Sequence, residues 1–252
     1  MSGRAVILVK ALPQPSARHG ETVCCAGVTP SRNWKRLFPV RFRHLSGDAS
    51  FNRWDWVNFN YRLPTSDRRS ESCHVFEDSI RIAGKLRANE RSALLYPLIT
   101  GSAKDASEKG LSLTLVRPRN PQFIFREKSV ADIERGREAF LKAARQDSIF
   151  DVKLAEIEPT PYEFIFRFDD DSGRHEYQNG DWETHAAFFR ERKRTSEAEA
   201  LRWLSYIYNE RYPAKGMVFV LGNQAKRPQT WQLLGVIRLD PPKMDLQADL
   251  FE

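Results

Sequence analysis

The sequence predicts an α+β protein, with a β-rich N-terminal half (a small barrel or curled sheet) and a mixed α/β C-terminal half. Three observations carry this reading. Over residues 1–63, short apolar or alternating runs recur at close spacing, separated by Pro, Gly and Asn. Helical periodicity enters after residue 88 and is clearest over 129–145. No period of roughly 20–50 residues recurs, so a solenoid or propeller is not expected. A chain of 252 residues allows one large or two small domains. The boundaries read as 1–100 for the β-rich part, 111–240 for the mixed part and 241–252 for a tail.

In order along the chain, Ala5–Val9 is a β-rich apolar run, ended by Pro13 and Pro15. Glu21–Val28 reads as the second strand and Trp34–Val40 as the third, with Pro39 marking an edge or end. Trp54–Tyr61 alternates apolar with polar, the period of a half-buried strand. Pro64–Ser72 reads as an exposed loop and Asp78–Ala83 as a further strand. Asn89 is expected to cap a helix reaching Ile99, with Pro97 disturbing its last turn. Thr100–Gly110 is small and polar and reads as a mobile connection. Leu111–Val116 and Gln122–Arg126 are strand-like around the Pro118–Pro121 turn, and Ser129 caps the helix to Arg145. Pro161–Phe168 alternates aromatics, Asp169–Gly173 is a turn, and Arg174–Gln178 is its hairpin partner. Helices follow at Asp181–Arg192 and Ser196–Arg211, then strands at Met217–Leu221 and Thr230–Leu239, stopped by Pro241-Pro242.

Composition narrows the function. No stretch approaches the ~18 apolar residues of a membrane helix, and the N-terminus carries no secretory pattern. Three cysteines, an odd number, exclude a fully paired disulfide framework, so a reducing cytoplasm is the expected compartment. The net charge of +7 is concentrated: residues 31–69 hold nine Lys/Arg against three acids. Trp34, Phe38, Phe42, Phe51, Trp54, Trp56, Phe59 and Tyr61 are interleaved with those cations. Cations that follow phosphates beside rings that stack on bases suit single-stranded nucleic acid. Arg32, Trp34, Lys35, Arg36, Arg41 and Arg43 are the candidate contacts, although alternating aromatics also build cores.

A second cluster points to chemistry. His175, Asp181 and Glu183 follow the acidic turn Asp169–Asp171 and open a helix. Carboxylates beside a histidine suit a divalent metal and nuclease chemistry. Asp181 is equally suited to capping that helix. No cofactor is expected, and a divalent metal only if the nuclease alternative holds. Cys24, Cys25, Cys73 and His74 lack a C-x-x-C pair and read as buried thiols rather than zinc ligands. No phosphate-binding P-loop, dinucleotide fingerprint or G-x-S-x-G is present.

The chain ends in Gln247-Ala248-Asp249-Leu250-Phe251-Glu252. This resembles the bacterial sliding-clamp-binding motif, Gln-x-(Ser/Asp)-Leu-Phe. The resemblance implies that Gln247 bonds the rim of a groove on the clamp while Leu250 and Phe251 fill its pocket. It covers five residues and implies nothing about the fold; the alternative is that Leu246, Leu250 and Phe251 pack back on their own domain. Three N-terminal stretches, Val9–Pro13, Glu21–Gly27 and Trp34–Val40, are similar to a bacterial family of uncharacterised activity, from which nothing is carried over. The expectation is a cytoplasmic, DNA-associated protein recruited to the DNA sliding clamp in replication, repair or mobile-element DNA metabolism. The alternative is a metal-dependent nuclease.

Overall fold

The structure, a computed structural model, describes residues 1–16, 20–22, 24–147 and 158–241. Five strands of the N-terminal half close into a barrel: β1 (Ser2–Lys10), β4 (Cys25–Val28), β5 (Trp34–Phe38), β6 (Asp55–Arg62) and β7 (Ser72–Lys85). Their order is β1-β4-β5-β7-β6, all neighbours antiparallel except the parallel pair β5–β7. The short hairpin β2 (Gln14–Ser16) and β3 (Gly20–Thr22) is inserted between β1 and β4. It splits the long second strand expected over Glu21–Val28.

Alternation decides which side chains fill the barrel. Along β6, Val57, Phe59 and Tyr61 point inward while Asn58, Asn60 and Arg62 are exposed. Ala5, Ile7, Cys25, Leu37, Cys73, Val75 and Ile80 complete the interior, and Phe42 and Phe51 from the 39–54 connection close one end. Cys25 and Cys73 are therefore buried thiols, and burial pushes the Cys73 thiol up to about 11.

After the barrel come α1 (Ala88–Leu95), a 3-10 turn over Tyr96–Leu98 at Pro97, β8 (Ile99–Thr100) and α2 (Ala103–Glu108). Helix α1 begins one residue before the expected Asn89 cap: the Glu90 carboxylate reaches back to the backbone N–H of Arg87. The expected mobile connection over 100–110 is instead ordered by α2. Ser102 accepts from the Asp105 backbone N–H, and Ala103 and Ala106 are buried.

The C-terminal half continues with β9 (Leu113–Val116), β10 (Arg119–Glu127), α3 (Val130–Asp147), β11 (Tyr162–Asp170) and β12 (Gly173–Gln178). Then follow α4 (Trp182–Arg194), α5 (Glu197–Tyr206), a π-helical turn Ile207–Arg211, α6 (Tyr212–Lys215), β13 (Met217–Gln224) and β14 (Arg227–Arg238). They form a four-stranded sheet β14-β13-β9-β8 and a three-stranded sheet β10-β11-β12. Phe123, Phe164, Phe166, Phe168, Phe188 and Phe219 dominate a core shared by the β10-β11-β12 sheet, the helices and strands β13 and β14.

A third core joins the halves. Val6, Leu8 and Val9 on the outer face of β1, with Ala26 and Val28 of β4, pack against Leu113, Leu115, Val218, Val220 and Ile237. The apolar run of β1 is thus buried on both faces, which is why it lacks alternation. Among the described residues no helix is long and apolar enough to cross a membrane.

Candidate nucleic-acid interface

The closed barrel, counted by its own strands, runs 1-2-3-5-4 with strands 3 and 5 parallel. That is the order of the OB-fold, a Greek-key barrel that commonly binds oligonucleotides on the face of strands 2 and 3. Here that face is covered. Ala26 and Val28 of strand 2 lie in the shared core, and Arg36 of strand 3 points into the seam with the C-terminal half.

The seam takes up several residues that the sequence marked as DNA contacts. Arg36 is buried; its Nη2 donates to the Ser112 carbonyl at 3.1 Å, and its Nε faces Glu71 at 3.8 Å. Gly222 leaves room for it, since a Cβ there would lie 3.3 Å from Arg36 Nη2 and 2.5 Å from Leu234 Cδ1. Arg36 is therefore corrected from a phosphate contact to an internal strut. Trp34 is half-buried against the shared core. Lys35 lies over the Tyr61 ring at 5.1 Å. Arg41 binds Glu77, with Nε to Oε2 at 3.0 Å, and Arg43 sits over the Trp182 ring at 5.6 Å. Only Arg32 of this set is fully exposed on its turn, where φ is +64° and Nη2 reaches the Ala93 carbonyl at 3.5 Å.

The metal-site residues are likewise committed elsewhere. Asp181 is fully buried as the N-cap of α4, and its Oδ1 accepts from the Glu183 backbone N–H at 3.1 Å. Its two oxygens also accept from Arg53 Nη2 at 2.6 and 2.8 Å, and Oδ2 accepts from the Val236 N–H at 2.9 Å. Glu183 holds Lys10 at 2.8 Å, and the Arg53 and Lys10 charges keep its carboxyl below the usual range against the pull of burial. His175 belongs to a different hairpin: Nε2 lies 2.8 Å from Asp170 Oδ1, and the ring stacks near Tyr177. The three do not converge, and among the described residues no group of three His, Cys, Asp or Glu is arranged to hold a metal.

Among the described residues the opposite side of the barrel is uncovered, and register assembles a surface there. Arg4 of β1 faces Asn58 of β6, which faces Arg81 of β7. The next row is Ser2, Asn60 and Phe76, and the next Arg62, His74 and Phe38 across β6, β7 and β5. Phe38 is 43% and Phe76 45% exposed, large values for phenylalanine on a sheet. His74 meets Phe76 edge-on, with centroids 6.3 Å apart, and Arg4 lies 5.2 Å over the Trp56 ring. Arg4, Arg62 and Arg81 make no ion pair with described residues; Arg81 donates only to backbone carbonyls, those of Asp78 and Ile80, at 2.7 Å. Of the nearby acids, Glu77 is held by Arg41 and Asp78 lies in the β7 irregularity beyond Phe76. The rows themselves contain no acid.

Sequence reasoning placed Phe76 and Arg81 outside the basic segment and gave Arg4 no role. The period-2 pattern of 54–62, which sets Asn58, Asn60 and Arg62 on one face, was the available signal. Gln247, Leu250 and Phe251 lie outside the described residues.

Fold and surface together define a five-stranded Greek-key barrel, backed on one side by an α+β unit and, among the described residues, uncovered on the other. The chain belongs to the family described as Domain of unknown function (DUF8757), whose model matches residues 97–252. Residues 1–98 match a second family model, Domain of unknown function (DUF8758). No curated protein matches the chain.

Proposed function

We propose that the protein binds single-stranded DNA on the open barrel face and is brought to the bacterial sliding clamp by its C-terminal Gln247–Phe251 segment. The observation that carries this reading is the acid-free array of Arg4, Arg62 and Arg81 around exposed Phe38 and Phe76, with half-buried His74 between them. Guanidinium groups follow phosphates, unstacked bases lie on the rings, and Asn58 and Asn60 offer amides to base edges. Duplex DNA keeps its bases stacked, so a barrel face carrying exposed rings favours single strands. The barrel topology is consistent with this use but does not carry it.

The clamp arm rests on the motif and on where it starts. Asp240, ahead of the motif, is pinned beside α1 by the Arg238 fork at 2.6 Å and by its carbonyl, which accepts from the Ser92 hydroxyl. This reading places the protein in the bacterial cytoplasm.

Fluorescence anisotropy with labelled oligodeoxythymidylate tests the DNA arm. Wild-type binding should weaken with salt, and Arg4, Arg62 and Arg81 changed together to Glu should lower affinity at least about tenfold. Changing them instead to Ala should make the log K against log salt slope shallower by about 2. Equal affinities and slopes in wild type and variants would refute the assignment.

A further inference from the structure

A second, independent feature lies in the seam between the halves. A cleft of about 310 Å³ is lined by Arg53, Trp54, Arg91, Trp203, Arg211 and Arg238, among others. Four guanidinium groups meet there with two tryptophans. Two of the four are neutralised in place: Arg53 by Asp181 at 2.6 Å and Arg238 by both oxygens of Asp240 at 2.6 Å. Glu183 acts on Arg53 from behind but is itself held by Lys10. The other two make no ion pair with described residues, although the Asp240 charge acts on Arg91 from a distance. Arg91 lies flat on Trp54 at 4.1 Å with its Nε buried and without a hydrogen-bond partner, and Arg211 makes no ion pair or hydrogen bond with described residues. The Nε of Arg53 is a second buried donor left unused. Cationic side chains with hydrogen-bonding capacity to spare thus border the cleft, their outer guanidinium nitrogens being the groups that a ligand there would meet.

The backbone is irregular at both walls. Trp54 holds φ at +76°, a region that bulky side chains avoid, and Ile207–Arg211 is a π-helical turn. Each is costly on its own terms, and each is the kind of feature that gathers at binding sites. Trp54 is kept there by two backbone bonds: its N–H to the Ile7 carbonyl at 2.8 Å and its carbonyl from the Leu86 N–H at 2.7 Å. The π turn carries Arg211 to the cleft beside Trp203 and Tyr212. Burial and the adjacent Arg238 press against the Arg91 charge and outweigh the opposing pull of Asp240, a balance that a bound anion would relieve.

We propose that this cleft binds the phosphate of a nucleotide, with Arg91 and Arg211 as the phosphate ligands and Trp203 or Tyr212 against the base. Two cations without an ion-pair partner suit the roughly −1.5 to −2 charge of a phosphomonoester, and guanidinium forks suit its oxygens. The volume sits at the lower end for small-molecule sites, room for a monomer rather than a polymer. The same chemistry is offered by a free nucleotide and by the terminal phosphate of a DNA strand.

Tryptophan emission of the full-length protein, with Trp54 and Trp203 in the wall, reads the site directly. AMP should change the emission saturably, and adenosine should bind at least about tenfold more weakly, the worth of charge-assisted bonds. Arg211→Gln, an exposed position, should weaken AMP by a similar factor without lowering the melting temperature of the free protein, and Arg91→Gln should weaken it too. Displacement of AMP by a 5′-phosphorylated oligonucleotide, but not by its 5′-hydroxyl counterpart, would assign a strand end; displacement by neither would assign a free nucleotide. No saturable change with AMP, equal binding of adenosine, or unchanged affinity in Arg211→Gln would overturn the proposal.

Discussion

Arg53 and Asp181, 128 residues apart, form an ion pair in which one guanidinium nitrogen of the half-buried arginine reaches both oxygens of the fully buried carboxylate at 2.6 and 2.8 Å. Arg53 also donates from Nη1 to the Val236 carbonyl at 2.8 Å, and Asp181 Oδ2 accepts the Val236 N–H at 2.9 Å. The barrel, the start of α4 and the C-terminal part of β14 are thus locked at one point. Burial alone would raise the Asp181 carboxyl, and the Arg53 charge and its hydrogen bonds oppose that.

Removing one partner strands the other charge in the seam, a loss of about 3–5 kcal/mol. Asp181→Ala is therefore expected to lower stability by that order, the lost helix cap included. Because the halves share a core, urea unfolding followed by tryptophan fluorescence and far-UV circular dichroism should give coincident single transitions in the wild type. Separate transitions would show that the halves unfold independently.

Arg36 separates the seam from the open face. Arg36→Met is expected to destabilise the protein by about 1–3 kcal/mol, because Glu71 and the Ser112 carbonyl lose a buried partner. Its affinity for oligodeoxythymidylate should match the wild type in anisotropy titrations. A loss of DNA affinity in a folded Arg36→Met protein would return this residue to the interface.

His185 supplies a pH signature of folding. Its Nδ1 lies 2.6 Å from Thr160 Oγ1 and its Nε2 3.3 Å from the Asn179 carbonyl, and burial pushes it from 6.5 down to about 4. The unfolded state then binds more protons between those values, so stability is full above pH ~6.5 and falls as pH drops toward ~4. The histidine contribution to that fall is about 3 kcal/mol. His185→Gln should show a flatter stability profile in this window than the wild type, measured by urea midpoints at fixed pH steps.

The tail is expected to act as an autonomous ligand. A peptide of residues 243–252 should bind a bacterial sliding clamp on the order of micromolar, and Leu250→Ala with Phe251→Ala should abolish binding. The same pair of changes in the full protein should leave its melting temperature unchanged. A clear drop in melting temperature, with no clamp binding by the wild-type peptide, would make the segment a structural strap.

What could be read from the chain follows the range of the forces involved. The barrel was legible because alternation over 54–61 and the unbroken run 5–9 are local patterns. The parallel pairing of β5 with β7, which closes the barrel, leaves no local signal, because its partners are joined by a long crossover rather than a turn. Arg36 reads like any surface arginine in a basic stretch; its burial depends on Ser112 and Gly222 far along the chain. Asp181 was legible as a helix cap, but nothing local announced Arg53 as its partner. The open face escaped a count of charges by segment because Arg4, Arg62 and Arg81 come together through strand register, not sequence proximity. The order over 100–110 escaped because two buried alanines on one short helix carry little hydrophobic pattern.

The central claim is that the open barrel face holds single-stranded DNA. Ultraviolet cross-linking of the full-length protein to oligodeoxythymidylate, followed by mass-spectrometric mapping of the adducts, tests it most directly. Adducts are expected on Phe38, His74 or Phe76, and they should disappear when Arg4, Arg62 and Arg81 are changed to Glu. Adducts confined to the C-terminal half, or unaffected by those changes, would contradict the account.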